Sequence, residues 1–416
     1  MKLRILTAQN IAVSGVAIWA TAPTLAYGGL YRIIVALLVL IWFALEAGRP
    51  GGLVRRPTRR ALLVLAYILC LSTIEVIFGP RGAVTLAQLY IFLFFFAVYE
   101  SRRREISTLE PVFWCVVATL PVWMYKTYGA LQLNPGVARM LVRDSQEALE
   151  LSSQGVGGYG LVYLSVLLMP VLVSLVPLHS TQLLANLRPS KARTYAAKLA
   201  LFACIVFGLA LIASAGYSIA LYSTVLGVSL SLAFNRSAGA GLIVRALVVM
   251  VCFLIVLAYL PNILQKLLIL MDGTLFEKKI SDLLNSLQAT SAAGTLGDRV
   301  DMYSRSVESF VANPVFGSLQ SGGHSAVLDQ FGRYGLFIGI LFVWILFFVP
   351  LRDLRAGGSG VGVSLAFMAA FVPVTVLNTL VGAFGIAVYV MFPVAATMIR
   401  RKRPSNGESG VGGVSL

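Results

Sequence analysis

The sequence predicts an all-α polytopic membrane protein, with about twelve transmembrane helices and a large extracytoplasmic loop containing short helices. Three observations predict it. Charged residues make up 12% of the chain, hydrophobic residues 58%, and mean hydropathy is +0.86; soluble domains carry about twice that charged fraction. Apolar stretches of roughly 17 or more residues recur along the whole length, each long enough to cross a bilayer. The connections between them alternate in character, basic and then sparsely charged, as membrane orientation requires.

Read in order, the expected spans are 5–22, 28–48, 60–79, 82–99, 109–128, 157–177, 197–213, 216–234, 242–260, 336–353, 359–377 and 380–398. The first carries Gln9 and Asn10 and lacks a clear small-residue cleavage site, which marks a retained helix and not a removed signal peptide. The basic connections are Met1–Arg4, Arg49–Arg60, Glu100–Glu105, Arg188–Lys198, Asn235–Arg245, Arg352–Arg355 and Arg400–Arg403, the last within a tail at 399–416. Placing all of these in the cytoplasm puts both termini there and makes the chain, residues 1–416, one membrane domain.

Net charge is +16, which invites a nucleic-acid reading. The arginines and lysines sit in short segments between apolar runs, so the charge reports orientation and a nucleic-acid partner is excluded. The cysteines, Cys70, Cys115, Cys204 and Cys252, all fall inside apolar runs. They have neither the spacing of a zinc site nor the loop position of a disulfide, and read as small packing residues.

On the other face most connections are short, such as Gly79-Pro80-Arg81-Gly82 and Ser214-Ala215-Gly216. Two are long. Residues 129–156 carry Arg139, Arg143, Asp144, Glu147 and Glu150; residues 261–335 carry Lys266, Lys278, Lys279, Arg299, Arg305, His324, Asp329 and Arg333. Long loops of mixed composition inside a compact domain read as functional. Within the larger, Asp298 is placed to cap a helix running to about Ala312, which Pro314 then stops. Val300, Tyr303, Val307, Phe310 and Val311 recur at helical spacing as an apolar stripe for the bilayer surface or the bundle. Arg299 and Tyr303, four apart, share a face. Gly317, Gly322 and Gly323 permit tight turns and close backbone approach.

Histidine occurs only twice. His324 lies in a polar, glycine-punctuated stretch, Ser321-Gly322-Gly323-His324-Ser325, where an imidazole exchanges protons near neutral pH. A loop histidine bonded to backbone is the plainer alternative. His179 follows Pro177 at a cytoplasmic boundary and reads as interfacial. There is no GxGxxG, no phosphate-loop lysine and no HExxH, so neither a nucleotide site nor a metal site is expected. Arginines remain. Their rigid donor fork suits a diphosphate, and a neighbouring imidazole can take the proton of an attacking hydroxyl. Each arginine has the alternative role of an anchor on lipid phosphate. Glu75 lies about one turn from the outer end of its span, near Arg81, and is expected to pair with an arginine or to line an acceptor path.

The order Arg299-Val-Asp-Met-Tyr303, Asn313-Pro314-Val-Phe-Gly317, Gly323-His324-Ser325, Asp329 and Tyr334-Gly335-Leu336-Phe-Ile-Gly339 resembles the large loop of the O-antigen polymerase and O-antigen ligase superfamily. The resemblance covers about forty residues and has one extra residue between Leu336 and Gly339. It implies a GT-C-like fold and a metal-independent inverting glycosyltransferase without cofactor. The donor it implies is an undecaprenyl-diphosphate-linked oligosaccharide. His324 would be the base or acceptor-positioning residue and Arg299 the diphosphate contact. Tyr303 and Asp329 are further substrate-binding candidates, Arg305 is added from its proximity in sequence, and Arg139, Arg143 and Arg81 are the extracytoplasmic arginines available for a second diphosphate contact. A chain-length regulator and a flippase are the implied protein partners, beside membrane lipids. Many relatives carry a Ser-Arg pair at a central outer turn, where this chain reads Ser214-Ala215-Gly216-Tyr217, so a second diphosphate arginine must come from elsewhere. The expected activity is polysaccharide polymerisation, with O-antigen, capsule or exopolysaccharide as product. A ligase of the same superfamily and a lipid-linked glycan flippase or transporter are the alternatives.

Overall fold

A computed structural model describes residues 2–26, 29–79, 86–134, 137–141, 146–184, 190–234, 248, 251, 259, 262–270, 277, 281, 284, 295–356 and 360–401. Among these residues the fold is helical and contains no strand. The principal helices are α1 (Lys2–Thr21), α2 (Gly29–Gly48), α3 (Arg59–Phe78), α4 (Ala87–Arg102), α5 (Glu110–Leu133) and α6 (Tyr159–Leu175). They continue as α7 (Lys191–Ala215), α8 (Ser218–Phe234), α9 (Thr295–Ala312), α10 (Ala326–Ala356), α11 (Val361–Leu377) and the composite α12 (Phe384–Arg400). Helices fall within all the expected spans except 242–260, which lies largely outside the described residues, as does the start of 82–99 at 82–85. Five are long and apolar enough to cross a membrane: Leu30–Gly48, Arg59–Phe78, Ile106–Leu133, Lys191–Ala215 and Ala326–Ala356. Tyr159–Leu175, Ser218–Phe234, Val361–Leu377 and Phe384–Arg400 are shorter apolar helices.

Burial sorts the helices into a centre and a rim. Almost every residue of α6 is buried, and so is the run Phe384–Ala396 of α12, which includes a π turn at Ala387–Met391. A helix that is apolar all round belongs inside the bundle. By contrast α3 buries only Val64, Tyr67, Leu71 and Glu75, a single stripe at helical spacing. Its remaining surface, including Leu62, Leu65, Leu69 and Val76, is exposed and apolar. Thr58 caps its start by accepting from the Ala61 amide at 3.1 Å. Twenty residues at about 1.5 Å each give a helix of about 30 Å, the thickness of a bilayer core.

Charged groups collect at one end of this bundle. Asp353 sits 3.5 Å from both Arg352 and Arg400, and Glu110 sits 2.9 Å from Arg401. Arg401 also donates to the Gln182 carbonyl at 2.8 Å, and the Arg60 guanidinium lies 4.9 Å over the Phe348 ring. His179 is here too, capping a short helix, with Nδ1 3.1 Å from the Thr181 hydroxyl. The large-loop residues lie at the other end, because α10 runs from Ala326 beside the loop to Asp353. Cys204 is buried and donates to the Val117 carbonyl, a packing role as expected, while Cys252 lies outside the described residues.

Candidate functional site at the His324 loop

Two departures from the expected local structure shape the loop. The helix bearing Arg299 begins at Thr295, so Asp298 falls inside its first turn instead of capping it. It ends at Ala312, as Pro314 requires. The apolar stripe also divides. Tyr303 and Phe310 turn inward, Phe310 packing edge-on against Phe331 at 5.6 Å. Val300, Val307 and Val311 stay exposed. The inward face is more polar than the spacing suggests, because Ser306 belongs to it and is buried.

Ser306 organises the histidine loop. Its hydroxyl donates to Asp329 Oδ1 at 2.7 Å and accepts from the Gly322 amide at 2.9 Å. Asp329 Oδ1 accepts from the Gly323 amide at 3.2 Å, and Oδ2 accepts from the Ser325 amide at 3.1 Å. Ser325 in turn caps α10, accepting from the Leu328 amide at 3.0 Å. His324 is thus held between two amides tied to one carboxylate. Gly322 lies so close to α9 that a Cβ would overlap the Met302 carbonyl oxygen.

The segment Asn313–Leu319 locks onto a break in α10. At Gly335 the backbone turns to φ 79° and ψ −174°, a conformation essentially reserved for glycine. The Leu336 amide there donates to the Pro314 carbonyl at 2.8 Å, and the Ser318 and Leu319 amides donate to Gly332 and Arg333 at 3.0 and 3.1 Å. Gly317 and Gly335 permit this contact, since a Cβ on either would strike backbone of the other segment.

Arg299 lies close enough to His324 for its charge to act on the ring. Burial and the neighbouring Arg299 charge hold the His324 imidazole below its usual range, with Asp329 pulling the other way. No hydrogen bond to the His324 ring is found among the described residues. Tyr303 serves the frame of the site. Its hydroxyl donates to the Leu377 carbonyl at 2.8 Å and fastens α9 to the end of α11. Burial raises its phenol, with Arg299 opposing, so the hydroxyl remains a donor. Asn378 continues this seam, accepting at its carbonyl from the Ala326 amide at 2.7 Å and at its side chain from Tyr159.

Of the other expected residues, Arg305 is exposed. Six positions from Arg299 at about 100° per residue place it well off the face that carries Arg299, Tyr303 and Ser306, and sequence proximity alone suggests it. Arg139 lies in the short helix Val137–Met140, with its side chain outside the described residues. Arg81 and Arg143 lie outside the described residues altogether.

Glu75 does pair with an arginine, and the arginine is Arg333, at 2.5 Å. Tyr334 donates to the same oxygen, also at 2.5 Å. Glu75 is fully buried and its second oxygen has no partner among the described residues. Arg333 lines a cavity of about 230 Å³ together with Gln88, Ser321, Ser325, Asp329 and Thr379. Tyr67 closes the set by donating to Gln330 at 3.0 Å. Sequence reasoning misses Arg333, Ser306 and Gln330 as site residues. Only the pairing of a span-end acid with an arginine points toward Arg333.

Asp329 holds the histidine loop through three hydrogen bonds. In Asp329→Asn an amide nitrogen replaces an oxygen that faces only donors. We expect a cost of about 1–3 kcal/mol and faster hydrogen exchange at the Gly323 and Ser325 amides, with α3 and α6 unchanged. Unaltered exchange at those two amides would remove Asp329 from this role.

Among the described residues, the fold is that of a helical membrane protein with a polar, histidine- and arginine-bearing loop at one end of an apolar bundle. No family model, curated protein or solved structure matches the chain.

Proposed function

We propose that the chain is a metal-independent inverting glycosyltransferase, and specifically a polysaccharide polymerase of the bacterial inner membrane. The donor would be a glycan on undecaprenyl diphosphate, the acceptor the sugar of the next lipid-linked repeat unit. The arginine-rich end would face the cytoplasm and the His324 loop the opposite side. The observation that carries this reading is an imidazole on which the Arg299 charge acts, free of hydrogen bonds among the described residues and biased toward its neutral form. That pair lies at the bundle end where a lipid-borne substrate would present its head.

In the proposed step the acceptor hydroxyl gives its proton to His324 while its oxygen bonds to the anomeric carbon. The bond from that carbon to the diphosphate breaks, and the departing charge is met by Arg299. Arg333 supplies the second guanidinium that the Ser214–Tyr217 turn lacks, held in place by Glu75. Transport is the weaker alternative. It predicts charge at mid-membrane, whereas among the described residues the buried charges Glu46, Glu75, Glu100, Arg102, Glu110 and Asp353 lie near helix ends.

The test is a reaction of purified protein with lipid-linked repeats as sole substrate and a chelator present, followed across pH. A ladder of products is expected, at a rate that stays flat down to the ordinary imidazole pKa of 6.5 and falls only below it. The sign follows from the lowered value: the neutral, proton-accepting ring persists to lower pH than in a free histidine. With a verified substrate, absence of the ladder would sink the polymerase reading. Transfer only onto a different acceptor would make the protein a ligase.

A further inference from the structure

A second cavity, of about 640 Å³, lies at the opposite end of α3 from Glu75, about 25 Å away along the helix. The α2–α3 connection and the end of α4 form it. Its lining includes Arg49, Arg56, Arg103 and Arg104 against Glu100 and Glu105. Arg49 is engaged by Glu46 at 3.3 Å and by the Ser101 carbonyl at 3.0 Å, and Arg103 by Glu100 at 3.4 Å. Arg56 and Arg104 are exposed and have no carboxylate partner among the described residues.

The walls are set by a buried polar network beneath them. Glu46 is fully buried; it accepts from the Leu53 amide at 2.7 Å, from Ser101 at 2.9 Å and from Gln9 at 2.8 Å. Gln9 accepts in turn from the buried Arg102. This network ties both connections together, so the guanidiniums above it are presented on a fixed frame. A donor set of this kind suits phosphate oxygens. The surface leading away from the cavity is apolar. Leu40, Ile41 and Phe43 on α2 and Leu62, Leu65 and Leu69 on α3 are all exposed.

We propose that this cavity binds the phosphate headgroup of an anionic membrane lipid, with its acyl chains along α2 and α3. The guanidiniums account for the phosphate and the apolar tracks account for a lipid in preference to a soluble anion. The proposal is independent of the reaction assigned to the His324 end.

The experiment offers phosphatidylglycerol and phosphatidylcholine in equal amounts to the full-length protein in detergent, and counts retained lipid by native mass spectrometry. Wild type is expected to retain phosphatidylglycerol preferentially. In R56Q/R104Q that preference should fall by roughly 30-fold, the loss of two charged contacts, with an unchanged melting temperature. Exposed Arg355, at the same end but outside the cavity, serves as control, and R355Q should keep the preference. Retention of the preference in the double variant, or equal loss in R355Q, would overturn the proposal. So would full displacement of the lipid by millimolar glycerol phosphate, which would assign the cavity to a soluble anion.

Discussion

Replacing His324 with alanine should abolish product laddering while leaving the protein folded. General-base assistance is worth about 10²–10⁴-fold in rate, and the proposed mechanism has no second imidazole within reach. The other histidine, His179, caps a short helix at the arginine-rich end. The folding half of the prediction is as important as the catalytic half. The His324 ring makes no hydrogen bond among the described residues, whereas its neighbours Gly323 and Ser325 hold the loop through their amides to Asp329. Truncating the ring therefore removes chemistry and leaves the frame. Melting within about 0.5 kcal/mol of wild type is expected, as for a substitution away from structural features, alongside a rate loss of at least about a hundredfold. A variant that folds and still builds ladders at the wild-type rate would exclude His324 as the base.

The largest effect on stability is expected from Gly335→Ala. Two costs add there. The φ of 79° with ψ of −174° lies where a side chain is strained by about 1–3 kcal/mol. A Cβ would also overlap the Val315 carbonyl oxygen, so the Asn313–Leu319 segment would have to lift from α10. That segment is pinned by the Leu336, Ser318 and Leu319 amides, and lifting it breaks all three bonds together. The loss should appear as a lowered thermal midpoint and as faster proteolysis near Gly317. Gly129 is the matched control. It sits on α5 with nothing within 4 Å of where a Cβ would stand, so Gly129→Ala should be neutral or slightly stabilising. Equal midpoints for the two variants would show that the break in α10 is not needed for stability.

The features legible in the sequence follow from local properties. Apolar runs long enough to span a bilayer mark the helices because that signal sums over many residues and needs no partner. The glycines of Asn313–Gly317 and Ser321–Ser325 and the entry at Tyr334-Gly335 mark tight turns, because backbone freedom belongs to the residue itself. His324 and Arg299 stand out by residue type and loop position, and in the fold the Arg299 charge acts on the His324 ring.

Other features are decided by how distant segments come to lie side by side. The sequence offers Asp329 and Tyr303 as substrate contacts; only the fold shows that Asp329 also clasps the histidine loop through Ser306 and that Tyr303 bonds to Leu377. Arg305 reads as a neighbour of Arg299 and stands off its face. Glu75 is expected to find an arginine. Its choice of Arg333, 258 positions away, depends on the register of α3 against α10. The sequence by itself determined which stretches are helical and apolar, where the backbone must turn, and which rare polar residues the loop offers. Only the tertiary structure decided which of those polar residues are consumed in holding the loop and which remain open. A buried donor or acceptor takes whichever partner the packing brings within about 3 Å, and the one-dimensional order of the chain does not contain that distance.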